Sequence, residues 1–344
     1  MYIVASGMVC SAGLNARSTC AALRAGIARF DETSYRDNNG EPIVGAVAPI
    51  FQGKVRFKER FFALLSMALE DCLKGVDRGL LGQVPLLVGL PEAGRPGVPG
   101  SVSTIIGVAQ ERLGVRFDPE HSRTLSMGHT AGFRALGVAR ELLRNPRVPA
   151  CLISGVDSYM RAATLLWLEH HDRLKTPENS DGVIPGEAAS AVLVTRAPVG
   201  GTGVRVAGLG FGQEKAHVLS EEPLLGLGLT EAARGALDEA GLQMHQLDFR
   251  LSDVTGEAYG FKEHSLMIAR LMRTRREEFP IWHCADSIGD TGAAAGTCEL
   301  AIGFGAFLQG QAPGDRALCV TSSVPGDRAV AVLQCEKVTS VRLK

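Results

Sequence analysis

Several features that would place this chain in a specialised class are absent from its sequence. No apolar stretch reaches the ~18 residues of a membrane-spanning helix, so we expect no membrane partner. Charges nearly cancel, with 36 Lys and Arg against 37 Asp and Glu, which gives no reason to expect a nucleic-acid partner. The eight cysteines include no C-x-x-C pair, and no histidines are spaced as metal ligands. No P-loop lysine and serine follow the glycines of residues 94–100, which we predict to be a surface loop. We therefore expect no metal, no cofactor and no disulfide framework, and a cytoplasmic location.

The features that are present favour layers of helices and sheets. The 344 residues exceed twice the ~150 of a typical domain, so two domains or a duplicated one are expected. Glycine, with 41 residues, is well above its ~7% share in average proteins and predicts close backbone approaches. Short β-rich runs alternate with helical patterns, which indicates a mainly parallel sheet. We place a boundary near residue 200, giving halves of residues 1–200 and 201–344.

An internal repeat supports this division. Residues 126–131 read Ser-Met-Gly-His-Thr-Ala, and residues 287–292 read Ser-Ile-Gly-Asp-Thr-Gly, 161 positions later. Each precedes a helical pattern rich in small residues, at 132–143 and 293–308, and then an apolar strand, at 150–154 and 317–321. The matched order predicts a duplication in which two buried central helices meet at a pseudo-two-fold axis. His129 and Asp290 would then lie at equivalent helix N-termini and face one cleft.

Five short segments in order along the chain resemble a known family. They are residues 7–14, the "W-x-x-L-x-x-G"-like helix at 20–26, the "G-G-x-D"-like 155–157, the "D-G-F-x-x-G-E-G-A"-like 181–189 and the "G-A-A-G-A-x-E"-like 293–299. Together they resemble the thiolase superfamily, and within it the β-ketoacyl-acyl-carrier-protein synthases. The resemblance implies an α/β thiolase fold with two duplicated α/β/α halves in a five-layered αβαβα core. It also implies a homodimer, with residues 150–158 at or near the interface.

The catalytic positions implied by this resemblance are substituted. His129 stands where such a synthase carries the nucleophilic cysteine, whose thiolate a helix N-terminus activates. Thr255 and Asp290 replace its two catalytic histidines, and Glu257 and Tyr259 stand where threonines hold the pantetheine arm. One general acid or base alone contributes ~10²–10⁴-fold in rate, so we expect ordinary condensation to be lost. Cys284, shortly before the second loop, is better interpreted as a buried strand cysteine than as a substitute nucleophile.

Two arrangements of the substituted site remain open. His129 and Asp290 could form a relay with Thr255 or Ser287, giving an acyltransferase or a thioester hydrolase. Alternatively, His129 bonds Asp290 and fills a vacated site, which satisfies both groups.

The second arrangement is favoured and predicts a non-catalytic binding or adaptor protein. Its partner would be an acyl carrier protein, docking for example on the arginine-rich run 272–278, an active synthase, or a type VI secretion effector.

Overall fold

The architecture is an extended sheet with helices on both of its faces. The computed structural model describes residues 1–337 except 52, 54, 99, 101–103, 200 and 201. The strands are β1 (Tyr2–Cys10), β2 (Asp31–Arg36), β3 (Pro42–Gly45), β4 (Leu86–Leu90), β5 (Arg123–Ser126), β6 (Ala150–Ser158), β7 (Glu187–Thr195), β8 (Thr202–Gln213), β9 (Phe249–Ser252), β10 (Ile281–His283), β11 (Arg316–Ser322) and β12 (Asp327–Lys337). The helices are α1 (Ala16–Arg24), α2 (Phe57–Cys72), α3 (Ile105–Leu113), α4 (Ala131–Leu142), α5 (Ala162–His170), α6 (Leu227–Ala240), α7 (Ala258–Leu271), α8 (Ala285–Ile288) and α9 (Ala295–Leu308).

The strand order is symmetrical about the middle of the sheet. It runs β10-β9-β11-β12-β8-β1-β7-β6-β4-β5, and β2 and β3 form a separate hairpin. On each side of the centre two antiparallel pairings are followed by two parallel ones. Among the described strands, the two sides pair through β1 and β8, with Tyr2 opposite Arg205 and Ile3 opposite Val204. We infer that the chain consists of two related halves that divide near residue 200. Residues 200 and 201 lie outside the described part of the chain.

The helices complete five layers around these two groups of strands. The outer layers are α2 with α3 on one side and α6 with α7 on the other, and α4 and α9 pack together between the sheets. The central pair is close because its contact residues are small. A Cβ atom on Gly132 would lie 3.0 Å from the Thr297 side chain. This is the α/β architecture, with two buried central helices, that the sequence predicts. The prediction of a mainly parallel sheet is wrong, because five of the nine strand pairings in the ten-stranded sheet are antiparallel.

The two halves are matched in a different register from the sequence repeat. A 3-10 turn precedes each central helix, at Gly128–Thr130 before α4 and at Gly292–Ala294 before α9. Each turn begins with a glycine at positive φ, +57° for Gly128 and +50° for Gly292. By its position in the fold, Gly128 therefore matches Gly292, and Asp290 lies just before the turn in its half. The repeat identified the right loops but aligned them three residues out of step.

Several local predictions are corrected by the structure. The sequence pattern predicts a helix from an N-cap at Thr230 to Gly241, but helix α6 begins at Leu227, so Thr230 lies inside its first turn and donates its hydroxyl to the Gly226 carbonyl. Helix α3 begins at Ile105, and Ser103, where the sequence pattern begins, lies outside the described residues. Strand β6, which we expect at or near a dimer interface, pairs with β4 on one side and β7 on the other and is buried throughout, and its place at an interface stays a prediction. The edge of that half is β5.

No helix in the described ranges has the length and apolar character needed to cross a membrane.

Glycines in β8 bring that strand into direct contact with α6 and provide a test of the packing. A Cβ atom on Gly210 would lie 1.8 Å from the Ala232 carbonyl oxygen, whereas a Cβ atom on Gly107 in α3 would meet nothing within 4 Å. We expect Gly210→Ala to lower the free energy of unfolding by about 2 kcal/mol or more, because α6 must move outward. The control Gly107→Ala should raise it by about 0.5 kcal/mol. Urea unfolding of both variants measures the difference, and equal effects would contradict this packing.

Candidate functional site

The site lies where the loops before α4 and α9 meet. His129 in the first 3-10 turn and Asp290 just before the second are both 4% exposed. His129 Nε2 and Asp290 Oδ1 are 2.8 Å apart. Asp290 Oδ1 also accepts the Gly292 N–H at 2.8 Å, so one carboxylate orders its own turn and holds the histidine opposite. The approach of these two residues that the sequence predicts is therefore present.

A third ionisable residue completes the cluster from the other side. Glu92, two residues after β4, is buried and places Oε1 3.7 Å from His129 Nδ1. Gly128 makes room for it, since a Cβ atom there would lie 1.9 Å from that oxygen. Sequence reasoning missed Glu92. Glu92 lies just beyond the carboxyl end of a parallel strand, where functional groups of such sheets gather. That position could have indicated from the sequence that Glu92 belongs to the site.

The three groups shift one another's ionisation. Burial lowers the pKa of His129, but Asp290 and Glu92 outweigh it and raise that pKa well above its usual range. Burial raises the pKa of Glu92 and of Asp290, but His129 opposes it, and each falls to about 2. At neutral pH the site therefore holds an imidazolium between two carboxylates.

The other predicted site residues are placed differently. Thr255 lines the same cavity as His129 and Asp290, but its hydroxyl donates to Glu257 Oε2 at 3.3 Å. Ser287 is directed elsewhere, because it lines a separate cavity and donates to Asp286 Oδ1. The expectation that Ser287 shares the His129 cavity is therefore wrong. Cys284 also lines that separate cavity, and burial raises the pKa of its thiol well above the usual range. The interpretation as a buried strand cysteine is wrong, because Cys284 is half-buried and precedes α8, beyond the end of β10.

Two buried ion pairs fill the space next to His129. Arg173 Nε and Nη2 donate to both oxygens of Glu257 at 2.7 and 2.8 Å. Arg328 Nε donates to Glu263 Oε1 at 2.8 Å, and its Nη2 donates to the Tyr259 hydroxyl at 2.8 Å. About 50 Å³ of open space remains, well below the ~300 Å³ at which ligand pockets usually begin.

Asp253, just after β9, is a further carboxylate on this cavity that the sequence did not single out. Its Oδ2 accepts the Ser322 N–H at 2.7 Å. Burial raises the pKa of Asp253 to about 6, with His129 opposing the rise. Asp253 therefore changes charge near neutral pH, whereas Asp290 and Glu92 stay ionised.

Two of the family-like motif residues serve the scaffold around the site. Asp157 accepts the Ala293 N–H at 2.8 Å at the start of the second turn, and Arg95 Nη1 donates to it at 3.0 Å. Glu187 accepts bonds from Arg60 and from the Ala48 N–H. Burial of Arg95 corrects the prediction that residues 94–100 form only a surface loop.

Within the described residues, no group of three or more potential ligands is arranged to hold a metal ion.

Comparison with solved structures identifies the fold. A structure of the ketosynthase ApeO with its chain length factor ApeC from Xenorhabdus doucetiae is similar at a TM-score of 0.75 and 17% identity, covering 97% of this chain and 98% of that one. The ishigamide ketosynthase/chain length factor is similar at a TM-score of 0.77 and 18% identity, covering 97% of this chain and 98% of that one. The oxazolomycin ketosynthase domain OzmH KS7 from Streptomyces albus JA3453 is similar at a TM-score of 0.77 and 17% identity, covering 98% of this chain and 75% of that one. The chain thus has the thiolase fold of ketosynthases. No protein-family model and no curated protein matches it.

The charged cluster predicts a specific dependence of stability on pH. His129 has a raised pKa, so its stabilisation is complete below the unfolded value of ~6.5 and is lost as pH rises through the folded value. Asp290 and Glu92 have lowered pKa values, so the stabilisation that they provide is present above pH ~4 and is lost as pH falls towards 2. We expect Asp290→Asn to cost about 3 kcal/mol at pH 5.5, because it removes one partner of a buried pair.

The cost of Asp290→Asn should shrink at both higher and lower pH, as measured by urea unfolding at pH 3, 5.5 and 9. Asp286→Asn, at an exposed carboxylate four positions earlier, is the control and should change stability by less than about 0.5 kcal/mol. A cost that does not vary with pH would contradict the charged cluster.

Proposed function

We propose that this chain is a non-condensing member of the ketosynthase-type thiolase fold that acts by binding, as an adaptor or partner subunit. The observation that carries the proposal is the position of His129, buried with Nε2 2.8 Å from Asp290 Oδ1 and Nδ1 3.7 Å from Glu92 Oε1, two carboxylates that raise the pKa of the ring. In a condensing synthase, the resemblance places the acyl-carrying thiolate at this position. A protonated imidazole has no free lone pair, so it can neither attack a thioester nor accept a proton.

The surroundings of the cluster support the same conclusion. Glu257 and Tyr259, at the positions that the resemblance assigns to pantetheine-binding threonines, are bonded to Arg173 and to Arg328. Admitting a pantetheine arm along these positions would require the Arg173–Glu257 ion pair and the Arg328–Tyr259 hydrogen bond to separate. The arrangement favours a closed cavity over a substrate passage.

The alternative, an acyltransferase or thioester hydrolase built on a Thr255–His129–Asp290 relay, has less support. A relay needs one imidazole nitrogen to accept a proton from the hydroxyl. Here Nε2 faces Asp290 and Nδ1 faces Glu92, while the Thr255 hydroxyl donates to Glu257. The contacts therefore favour a filled site. Any remaining acid–base chemistry would fall to Asp253, whose pKa of about 6 allows it to accept a proton at neutral pH.

The proposed partners follow from the fold and its open edges. Two of the similar structures contain a ketosynthase and a chain length factor. For this chain we propose a homodimer, or a heterodimer with an active synthase, formed through the β5 edge, since β5 pairs only with β4 among the described strands. The binding role would serve an acyl-carrier pathway or a type VI secretion effector.

An acyl carrier protein could use the exposed Arg273 and Arg275, because arginine clusters attract phosphate groups. Free thiols occur at Cys10, Cys20, Cys72, Cys151, Cys284, Cys298 and Cys319, which suits the reducing cytoplasm that we propose as the location.

The proposal predicts that the protein cannot condense acyl groups. Incubation with acyl-carrier-protein and malonyl-carrier-protein thioesters should give no β-ketoacyl product and no acyl adduct by intact mass. His129→Cys should also give no product, since Thr255 and Asp290 would remain and a carboxylate repels malonate. A condensing β-ketoacyl synthase assayed in parallel is the positive control. Condensation by the unmodified protein would refute the proposal. Thioester hydrolysis that is lost in both His129→Ala and Asp290→Ala but retained in Asp253→Asn would establish the relay instead.

A further inference from the structure

A second cavity, of about 340 Å³, lies apart from the His129 cluster. It is bounded by the end of α1, the second half of α9 and the strand β10. Its apolar wall is formed by Leu23, Leu251, Ile281, Trp282, Ile302 and Ala306. None of His129, Thr255 and Asp290 lines it, so it is not part of the site described above. Its size is at the lower end of the range for ligand pockets, ~300–1,000 Å³.

The cavity adjoins an open edge of the sheet. Strand β10 is the last strand in the sheet order and pairs in parallel with β9, Ile281 opposite Arg250 and His283 opposite Ser252. The Arg250 N–H donates to the Pro280 carbonyl, so Pro280 directs its carbonyl towards β9. In a parallel ladder the bonding residues alternate, so Ile281 and His283 direct their N–H and C=O groups away from the sheet. Both of these residues line the cavity.

The charges at the cavity balance. Arg24 and Asp286 contribute one charge of each sign and are both exposed, and Arg24 already donates to Gln309. Neither charge is buried deep in the apolar wall, so the pocket favours an uncharged, apolar group. The backbone groups of β10 beside it are directional donors and acceptors, spaced as a second strand would match them.

We propose that β10 and the adjoining cavity form a docking site for an extended peptide segment of a partner protein. The peptide backbone pairs with Ile281 and His283, and one aliphatic or aromatic side chain of the peptide enters the pocket against Trp282. Main-chain hydrogen bonds then supply affinity and the pocket supplies specificity. This deepens the partner-binding role proposed above, but it depends on different residues. Its test is independent of condensation.

Intrinsic fluorescence gives a direct readout, because the chain has two tryptophans and Trp282 is the one in the cavity. In a Trp167→Phe background, the probe is the capped pentapeptide acetyl-Ser-Val-Leu-Val-Ser-amide. We expect a saturable change in Trp282 emission with half-saturation below about 1 mM. The same peptide with alternate backbone nitrogens methylated should bind at least ~10-fold more weakly, because it retains its side chains but loses its donors. Equal binding of the two peptides, or no saturable change up to 1 mM, would overturn the proposal.

A pair of variants tests the strand edge from the protein's side. Ile281→Pro removes an outward N–H that the ladder does not use, and Ile281→Val keeps it while also shortening the side chain. We expect Ile281→Pro to weaken peptide binding at least ~10-fold and Ile281→Val to change it by less than about threefold. Urea unfolding shows whether both variants are folded. If Ile281→Pro does not fold, the comparison of the methylated and unmethylated peptides on the unmodified protein remains as the test of strand pairing. Equal binding by the two folded variants would refute strand pairing. Sedimentation that shows Ile281→Pro altering self-association would instead assign the edge to a second copy of this chain.

Discussion

The contact between His129 and Asp290 is the constraint on which the rest of the site depends. It joins the turn before one central helix to the turn before the other, inside the molecule, where unpaired charges are not tolerated. The Ser323 hydroxyl reinforces this junction by donating to the Met127 carbonyl and accepting the Thr130 N–H. Because Glu92 supplies a second carboxylate, the histidine is held as a cation. Its chemistry is therefore determined by its neighbours.

The architecture could be predicted from the sequence further than the site could. Alternating strand and helix patterns, with the repeated loop, predicted the layered fold and the approach of His129 to Asp290. The register predicted from the repeat was wrong by three residues. The register in the fold depends on the positions of Gly128 and Gly292, which have positive φ, and residue identity alone does not show which glycines adopt that conformation. Glu92 could not be paired with His129, because the two come from different strand ends brought together by tertiary packing.

Ser287 was misplaced for a related reason. It lies at the end of the short helix α8, where a small rotation decides which cavity a side chain enters, and the repeat suggested the wrong one. The ion pairs Arg173–Glu257 and Arg328–Glu263 could not be predicted either, because each joins residues far apart in the chain. Sequence patterns predict periodic elements and local turns. They do not predict which charged residues far apart in the chain pair with one another, and those pairs fill this cavity.

The most direct test of the account is the protonation state of the His129 ring. Nitrogen-detected NMR of the histidine-labelled protein, with the His129→Gln spectrum used to assign its signal among the eight histidines, follows both ring nitrogens from pH 5 to 9. The charged cluster predicts imidazolium shifts that persist well above the ordinary pKa of ~6.5, and a lower pKa for His129 when Glu92 is replaced by Gln. A ring that titrates with a midpoint near or below the ordinary ~6.5 would contradict the account, because a neutral imidazole could still serve as a base.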